Sequence, residues 1–138
     1  MNSKMKGNIA EAVALSEFTK RNIQVSIPFG DNARYDLIAE FSDKLNRIQV
    51  KYCDSFSENE SAICICESKR NHTTNKTKNT YIGEVDYFFF YIQKWDKCVL
   101  ISIDDIGSNK SICFRNEATK NNQHYRNVDD YTIDKVII

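Results

Sequence analysis

Two short runs of strict alternation, separated by a loop, constrain this chain more than any other feature. Arg34-Tyr35-Asp36-Leu37-Ile38-Ala39-Glu40 and Arg47-Ile48-Gln49-Val50-Lys51-Tyr52 each repeat with period two, the pattern of a half-buried β-strand. Tyr35, Leu37, Ala39 and Phe41 share one face of the first run, and Arg34, Asp36, Ile38 and Glu40 share the other. If residues Phe41 to Leu45 turn the chain into an antiparallel hairpin, cross-strand partners share a face. Apolar then meets apolar only when odd positions of the first strand oppose even positions of the second. The same parity gathers Asp36, Gln49 and Lys51 on the opposite face. A carboxylate, an amide oxygen and an ammonium in one place suit a metal ion and an activated water.

A chain of 138 residues with 41% apolar content and one proline suits a single domain, residues 1–138, with one core. Lysine and arginine together equal aspartate and glutamate, so the net charge is zero. The whole-chain field therefore offers no general attraction for a polyanion, and any nucleic-acid surface must come from local clustering. The polar start, Met1 to Asn8, lacks the apolar stretch of a signal peptide, and the longest apolar run, Tyr87 to Ile92, is too short to span a bilayer. The expectation is a soluble, intracellular, cytoplasmic protein with no membrane partner. Five cysteines, Cys53, Cys64, Cys66, Cys98 and Cys113, are an odd number without a CxxC pair, which argues against a disulfide framework or structural zinc. Cys64 and Cys66 are expected on one buried strand face.

Lys6 to Arg21 has helical spacing, with Asn8 as its expected cap and Ala10, Val13, Ala14 and Phe18 on the covered stripe. Glu11 borders that stripe, so a helix lying on the sheet delivers it beside Asp36. Ile23 to Pro28 reads as a first strand, and Phe29-Gly30-Asp31-Asn32 as a turn. Further strands are expected at Ala62 to Cys66, at Tyr87 to Ile92 (apolar on both faces, hence central) and at Cys98 to Ile103, antiparallel to the central one. Asp104 and Asp105 are expected to cap a short helical turn, and Ser111 to Phe114 to be the last edge strand. Ser68 to Thr80 carries Lys69, Arg70, Lys76 and Lys78 without an acid: either a solvated loop or a phosphate-contacting arm. Gln123 and Arg126, in a polar stretch near the end, have the chemistry to meet base edges or phosphates.

Phosphodiester hydrolysis at neutral pH needs a positioned, acidified water and a cation to absorb charge on the phosphoryl oxygens. Mg²⁺ takes about six oxygen ligands and keeps several waters, so one or two carboxylates and a carbonyl suffice from the protein. Asp36, the Gln49 side-chain oxygen, the Val50 backbone carbonyl and Glu11 make such a set, with Lys51 beside it to stabilise a hydroxide or hold the phosphate.

A helix carrying Glu11, then Asp36 in a strand and Gln49-Val50-Lys51 in the next, resembles the PD-(D/E)XK nuclease superfamily. The small branch with group I intron homing endonucleases is most similar, through Ile27-Pro28-Phe29-Gly30, Arg34-Tyr35-Asp36-Leu37-Ile38, Arg47-Ile48-Gln49-Val50-Lys51 and Gly83-Glu84-Val85-Asp86-Tyr87-Phe88 in order. Tyr35 stands where the motif name has proline, and Gln49 where most members have an acid. The resemblance implies an α/β (α+β) fold with a restriction-endonuclease-like core, a central mixed sheet flanked by helices. It implies catalytic positions Glu11, Asp36, Gln49 and Lys51, of which Glu11, Asp36 and Gln49, with the Val50 carbonyl, also hold the metal. The cofactor it implies is Mg²⁺, with Mn²⁺ as a substitute, and the substrate double-stranded DNA. Arg34, on the Asp36 face, is either a phosphate contact or an ion-pair partner of Glu40, and Asp86 suits a turn cap better than a metal ligand.

The leading expectation is therefore a Mg²⁺-dependent, site-specific endodeoxyribonuclease. Cutting both strands needs two such sites, hence a homodimer or homotetramer. The alternatives are a Holliday-junction resolvase or restriction-type nuclease, a DNA-binding module whose site has decayed at Gln49, and a small-molecule or protein-binding domain.

Overall fold

The computed structural model describes residues 1–67, 80–117 and 125–137. Helix α1 spans Ser3–Lys20, followed by strands β1 (Val25–Ser26), β2 (Leu37–Phe41), β3 (Lys44–Cys53), β4 (Ser55–Phe56), β5 (Ala62–Ile65), β6 (Tyr87–Ile92) and β7 (Lys97–Ser102). A short helix α2 (Ile103–Ile106), strands β8 (Ser111–Arg115) and β9 (Arg126–Asn127), and a last helical turn α3 (Ile133–Val136) complete it. A five-stranded mixed sheet has the order β1-β2-β3-β6-β7, and a four-stranded sheet the order β4-β5-β8-β9.

The hairpin has the expected parity: Leu37 opposes Ile48, Ala39 opposes Asn46 and Phe41 opposes Lys44. Its turn is tighter than expected. Only Ser42 and Asp43 connect the strands, both at positive φ (55° and 58°), the mirror-image turn whose twist suits a two-residue hairpin. Buried Asn46 secures it, donating from Nδ2 to the carbonyls of Ala39 (3.1 Å), Phe41 (3.0 Å) and Lys44 (3.1 Å).

Strand β6 is an interior strand, next to the central β3, and is apolar on both faces because both are covered. Phe89 and Tyr91 join Ala10, Ala14 and Phe18 of α1 with Leu37, Ala39, Ile48 and Val50 in one core. Phe88, Phe90 and Ile92 meet Cys64, Ile112 and Phe114 of the second sheet in another. Strand β6 runs parallel to β3 and antiparallel to β7. The parallel pair is clasped at its start by Asp86, whose carboxylate accepts the Arg47 backbone N–H (2.8 Å) and pairs with its guanidinium (3.1 and 3.2 Å). That pairing holds the Asp86 carboxyl below its ordinary range, with the Arg47 hydrogen bond the leading cause.

Several expectations need correction. Helix α1 begins earlier than Lys6, because Asn2 and not Asn8 is the cap, its Oδ1 accepting the Met5 N–H at 2.9 Å. It stops where Asn22 adopts φ 59° and the Ile23 N–H bonds the Phe18 carbonyl (3.0 Å), a left-handed cap that tucks Ile23 against the core. The first strand shrinks from Ile23–Pro28 to Val25–Ser26, the only two residues laddered to β2. Ser102, not Asp104 or Asp105, caps α2, accepting the Asp104 N–H at 3.2 Å. Ser111 to Phe114 is no edge strand: β9 pairs with it in parallel, and its sheet covers one face of the main sheet in place of helices. All five cysteines are free thiols, and Cys64 and Cys66 share a buried face as expected.

Candidate active site

The site forms where the hairpin ladder runs out. Strand β2 begins at Leu37, opposite Ile48, and one residue earlier the Asp36 N–H still reaches the Ile48 carbonyl at 2.8 Å. Beyond that point the chain turns away. Asp36 Oδ2 takes over the role of a neighbouring strand, accepting the Val50 N–H at 2.8 Å. The N–H and C=O of one strand residue point to the same side, so the Val50 carbonyl also projects toward the open edge. The side chains of Gln49 and Lys51 leave the sheet on the face opposite the Val50 side chain, which is packed in the core under α1. Helix α1 closes the opposite wall with Glu11.

Glu11, Asp36, Gln49, Val50 and Lys51 thus line one cleft of about 520 Å³, together with Lys6, Gly7, Tyr52, Asp54 and Glu67. A smaller hollow of about 250 Å³ lies elsewhere, where Arg21 pairs with Asp134 at 2.7 Å. It offers a satisfied ion pair and no converging oxygens.

Electrostatics mark the cleft as a place that favours a cation. Burial raises the Asp36 carboxyl above its ordinary range, against the Val50 N–H and the Lys51 charge, which pull it down. Glu11 is raised by burial first and by the Asp36 charge second. Two carboxylates that repel one another across a partly desolvated cleft gain most from a positive ion between them. The available donors are all oxygen (two carboxylates, the Gln49 amide and the Val50 carbonyl), the set a small hard cation takes. Among the described residues no three His, Cys, Asp or Glu side chains form a ready-made cage, so any such ion depends on the amide and backbone oxygens.

Arg34 has an internal engagement. Its Nε lies 2.9 Å from Glu84, Nη2 donates to the Thr80 carbonyl at 3.3 Å, and the guanidinium stacks 4.2 Å from the Tyr81 ring. Glu84, not Glu40, is its ion-pair partner, because Glu40 sits four residues into the ladder opposite Leu45. Lys51 Nζ lies over the same Tyr81 ring, at 5.5 Å. Tyr81 is therefore a platform for both cations beside the site, held edge-on to Phe88 (5.2 Å between centroids), and sequence reasoning missed it. Arg126 donates to the Asp105 carbonyl at 3.2 Å. Its charge and that of Lys51 both act on Cys66, whose thiol burial pushes up to about 12. Lys69, Arg70, Lys76, Lys78 and Gln123 lie outside the described residues.

The family described as PD-(D/E)XK endonuclease matches residues 1–134. Among solved structures, "The structure of a bacterial homing endonuclease: I-Ssp6803I" is similar at 22% identity and a TM-score of 0.75, covering 95% of this chain and 88% of that one. At that identity the likeness is one of fold. No curated protein matches. Among the described residues no helix is long and apolar enough to cross a membrane.

Proposed function

Because the chain belongs to the PD-(D/E)XK endonuclease family, we propose that this nuclease is a divalent-metal-dependent, site-specific endonuclease of double-stranded DNA, acting as a homodimer or homotetramer. One observation carries the reading: Asp36 caps the open edge of β3 through the Val50 N–H while the Glu11 carboxylate stands near enough for its charge to be felt. Asp36, Glu11, Gln49 and the Val50 carbonyl would hold Mg²⁺ or Mn²⁺. Bound there, the ion supplies Lewis acidity toward the phosphoryl oxygens and a more acidic water.

The chain's own residues do the rest. Asp36 is fixed by its bond to Val50, so its remaining oxygen keeps one direction relative to the strand edge. Lys51, oriented over Tyr81, presents its ammonium to the scissile phosphate or to the attacking water, where it lowers the energy of developing negative charge. Glu11, whose carboxyl is raised by burial and by the Asp36 charge, gains from a positive ion placed between the two and would help hold it at the cleft wall. Arg34, Lys69, Arg70, Lys76, Lys78, Gln123 and Arg126 are the DNA-contact candidates. For Arg34, contact with a phosphate requires exchanging its Glu84 partner.

The test is supercoiled-plasmid cleavage with Mg²⁺ by the wild type, Asp36→Ala and Lys51→Ala, with duplex binding measured in Ca²⁺. Cutting lost in both variants while binding survives is the expected result. The substrates include plasmids bearing a library of candidate sites and a four-way junction. Binding without cutting on all of them would overturn the enzymatic reading, and cutting of the junction alone would replace site specificity by shape recognition.

A further inference from the structure

The cleft contains an ion pair that the reaction described above does not use. Lys6, on the first turns of α1, reaches across the mouth to Asp54, just past the end of β3, with Nζ 2.5 Å from Oδ2. The same ammonium sits 5.8 Å from the centre of the Tyr52 ring. Neither partner is sequestered, their side chains being 34% and 44% exposed, so water and larger ligands reach both.

Two further observations make this more than a surface ion pair. The cleft is lined by four carboxylates, Glu11, Asp36, Asp54 and Glu67, against two ammoniums, Lys6 and Lys51. A polyanion entering there meets a surplus of negative charge, and the cation positions available to it carry most of the attraction. Beside Lys6 the helix wall is bare backbone at Gly7, where an added Cβ would meet nothing within 4 Å. That open space lets a phosphate backbone approach the helix closely.

Resting on the nuclease reading above, we propose that Lys6 is a phosphate-binding residue for the substrate strand and that Asp54 occupies it in the free protein. DNA enters by exchanging a backbone phosphate for the Asp54 carboxylate on the Lys6 ammonium. Asp54 is thus an internal competitor. It weakens binding to any duplex, and its cost is recovered only where the other contacts are made.

The experiment is a double-mutant cycle on binding of a fluorescein-labelled duplex in Ca²⁺, followed by anisotropy across a KCl series, with wild type, Lys6→Ala, Asp54→Asn and the double variant. For each protomer that contacts the duplex, Lys6→Ala weakens binding about eightfold near 0.1 M salt and lowers the salt slope by about 0.9. Asp54→Asn tightens binding about threefold, the order expected for releasing an exposed ion pair and removing one repulsive charge. In the Lys6→Ala background most of that gain disappears. Equal gains with and without Lys6 would overturn the exchange, leaving Asp54 as a mere repulsive charge. Unchanged affinity and slope in Lys6→Ala, with binding by the wild type, would overturn this proposal alone. Failure of the wild type to bind any duplex would overturn the nuclease reading with it.

Discussion

Asn46→Ala isolates the device that registers strands β2 and β3. Asn46 is 5% exposed, and its Nδ2 group faces three carbonyls at 3.0–3.1 Å. An amide nitrogen has two hydrogens, so two of these contacts are full hydrogen bonds and the third is shared. Each is worth about 1 kcal/mol net, and leaving buried carbonyls facing a methyl group adds about another 1 kcal/mol, so the variant loses about 3 kcal/mol. Over 138 residues that lowers Tm by roughly 10 °C. Denaturant unfolding followed by far-ultraviolet circular dichroism measures it, with the slope m unchanged. Asn46→Asp keeps the shape but turns a negative group toward the same carbonyls. It should cost more than Ala at neutral pH and recover as acid protonates the new carboxyl and restores one donor. A loss below about 0.5 kcal/mol in Asn46→Ala, or an Asp variant no worse than Ala at neutral pH, would refute the reasoning.

Two carboxylates give stability predictions of opposite sign. Asp36 has a raised pKa in the fold, so its stabilising contribution is complete below the ordinary carboxylate range and is lost as pH rises through the raised folded value. At neutral pH its charge is a cost, and Asp36→Asn should therefore raise Tm by a few degrees while abolishing cleavage, with the gain vanishing in acid. Mg²⁺ should raise the Tm of the wild type and not of this variant, a comparison made by thermal-shift titration. Asp86 is the reverse case: its depressed pKa gives stability that is present above the ordinary range and lost as pH falls through the folded value. Asp86→Asn should cost only about 1 kcal/mol at neutral pH, since both partners are more than a third exposed (37% and 38%). Denaturation midpoints of the two proteins should converge in acid.

The parts legible in the sequence are those where burial leaves a period. Leu37, Ala39, Ile48 and Val50 alternate because one face meets α1, and Phe88 to Ile92 do not because both faces are covered. From that parity alone Asp36, Gln49 and Lys51 could be placed together. The second sheet was legible only in its longer strands, Ala62–Ile65 and Ser111–Arg115; Ser55–Phe56 and Arg126–Asn127 are two residues each, too short for alternation to register. Arg34 and Tyr81 escaped for another reason. Their stacking joins residues nearly fifty positions apart, and nothing local in either segment encodes it. Asn46 lies on the apolar face of β3 and breaks its pattern, a signal that a buried amide was serving backbone carbonyls.

The edge of β3 that β2 leaves uncovered beyond Ile48 has a cost as well as a use. A bare strand edge is a template on which a second chain can add, and proteins guard such edges against fibrous self-association. Here the guards are polar side chains of the candidate site. Asp36 plugs the Val50 N–H, charged Lys51 and Asp54 flank the stretch, and Lys6 reaches down over Tyr52. Substitutions that neutralise this cleft to disarm the enzyme therefore also remove its protection against strand addition. Such variants should be watched for aggregation in storage as closely as for lost activity.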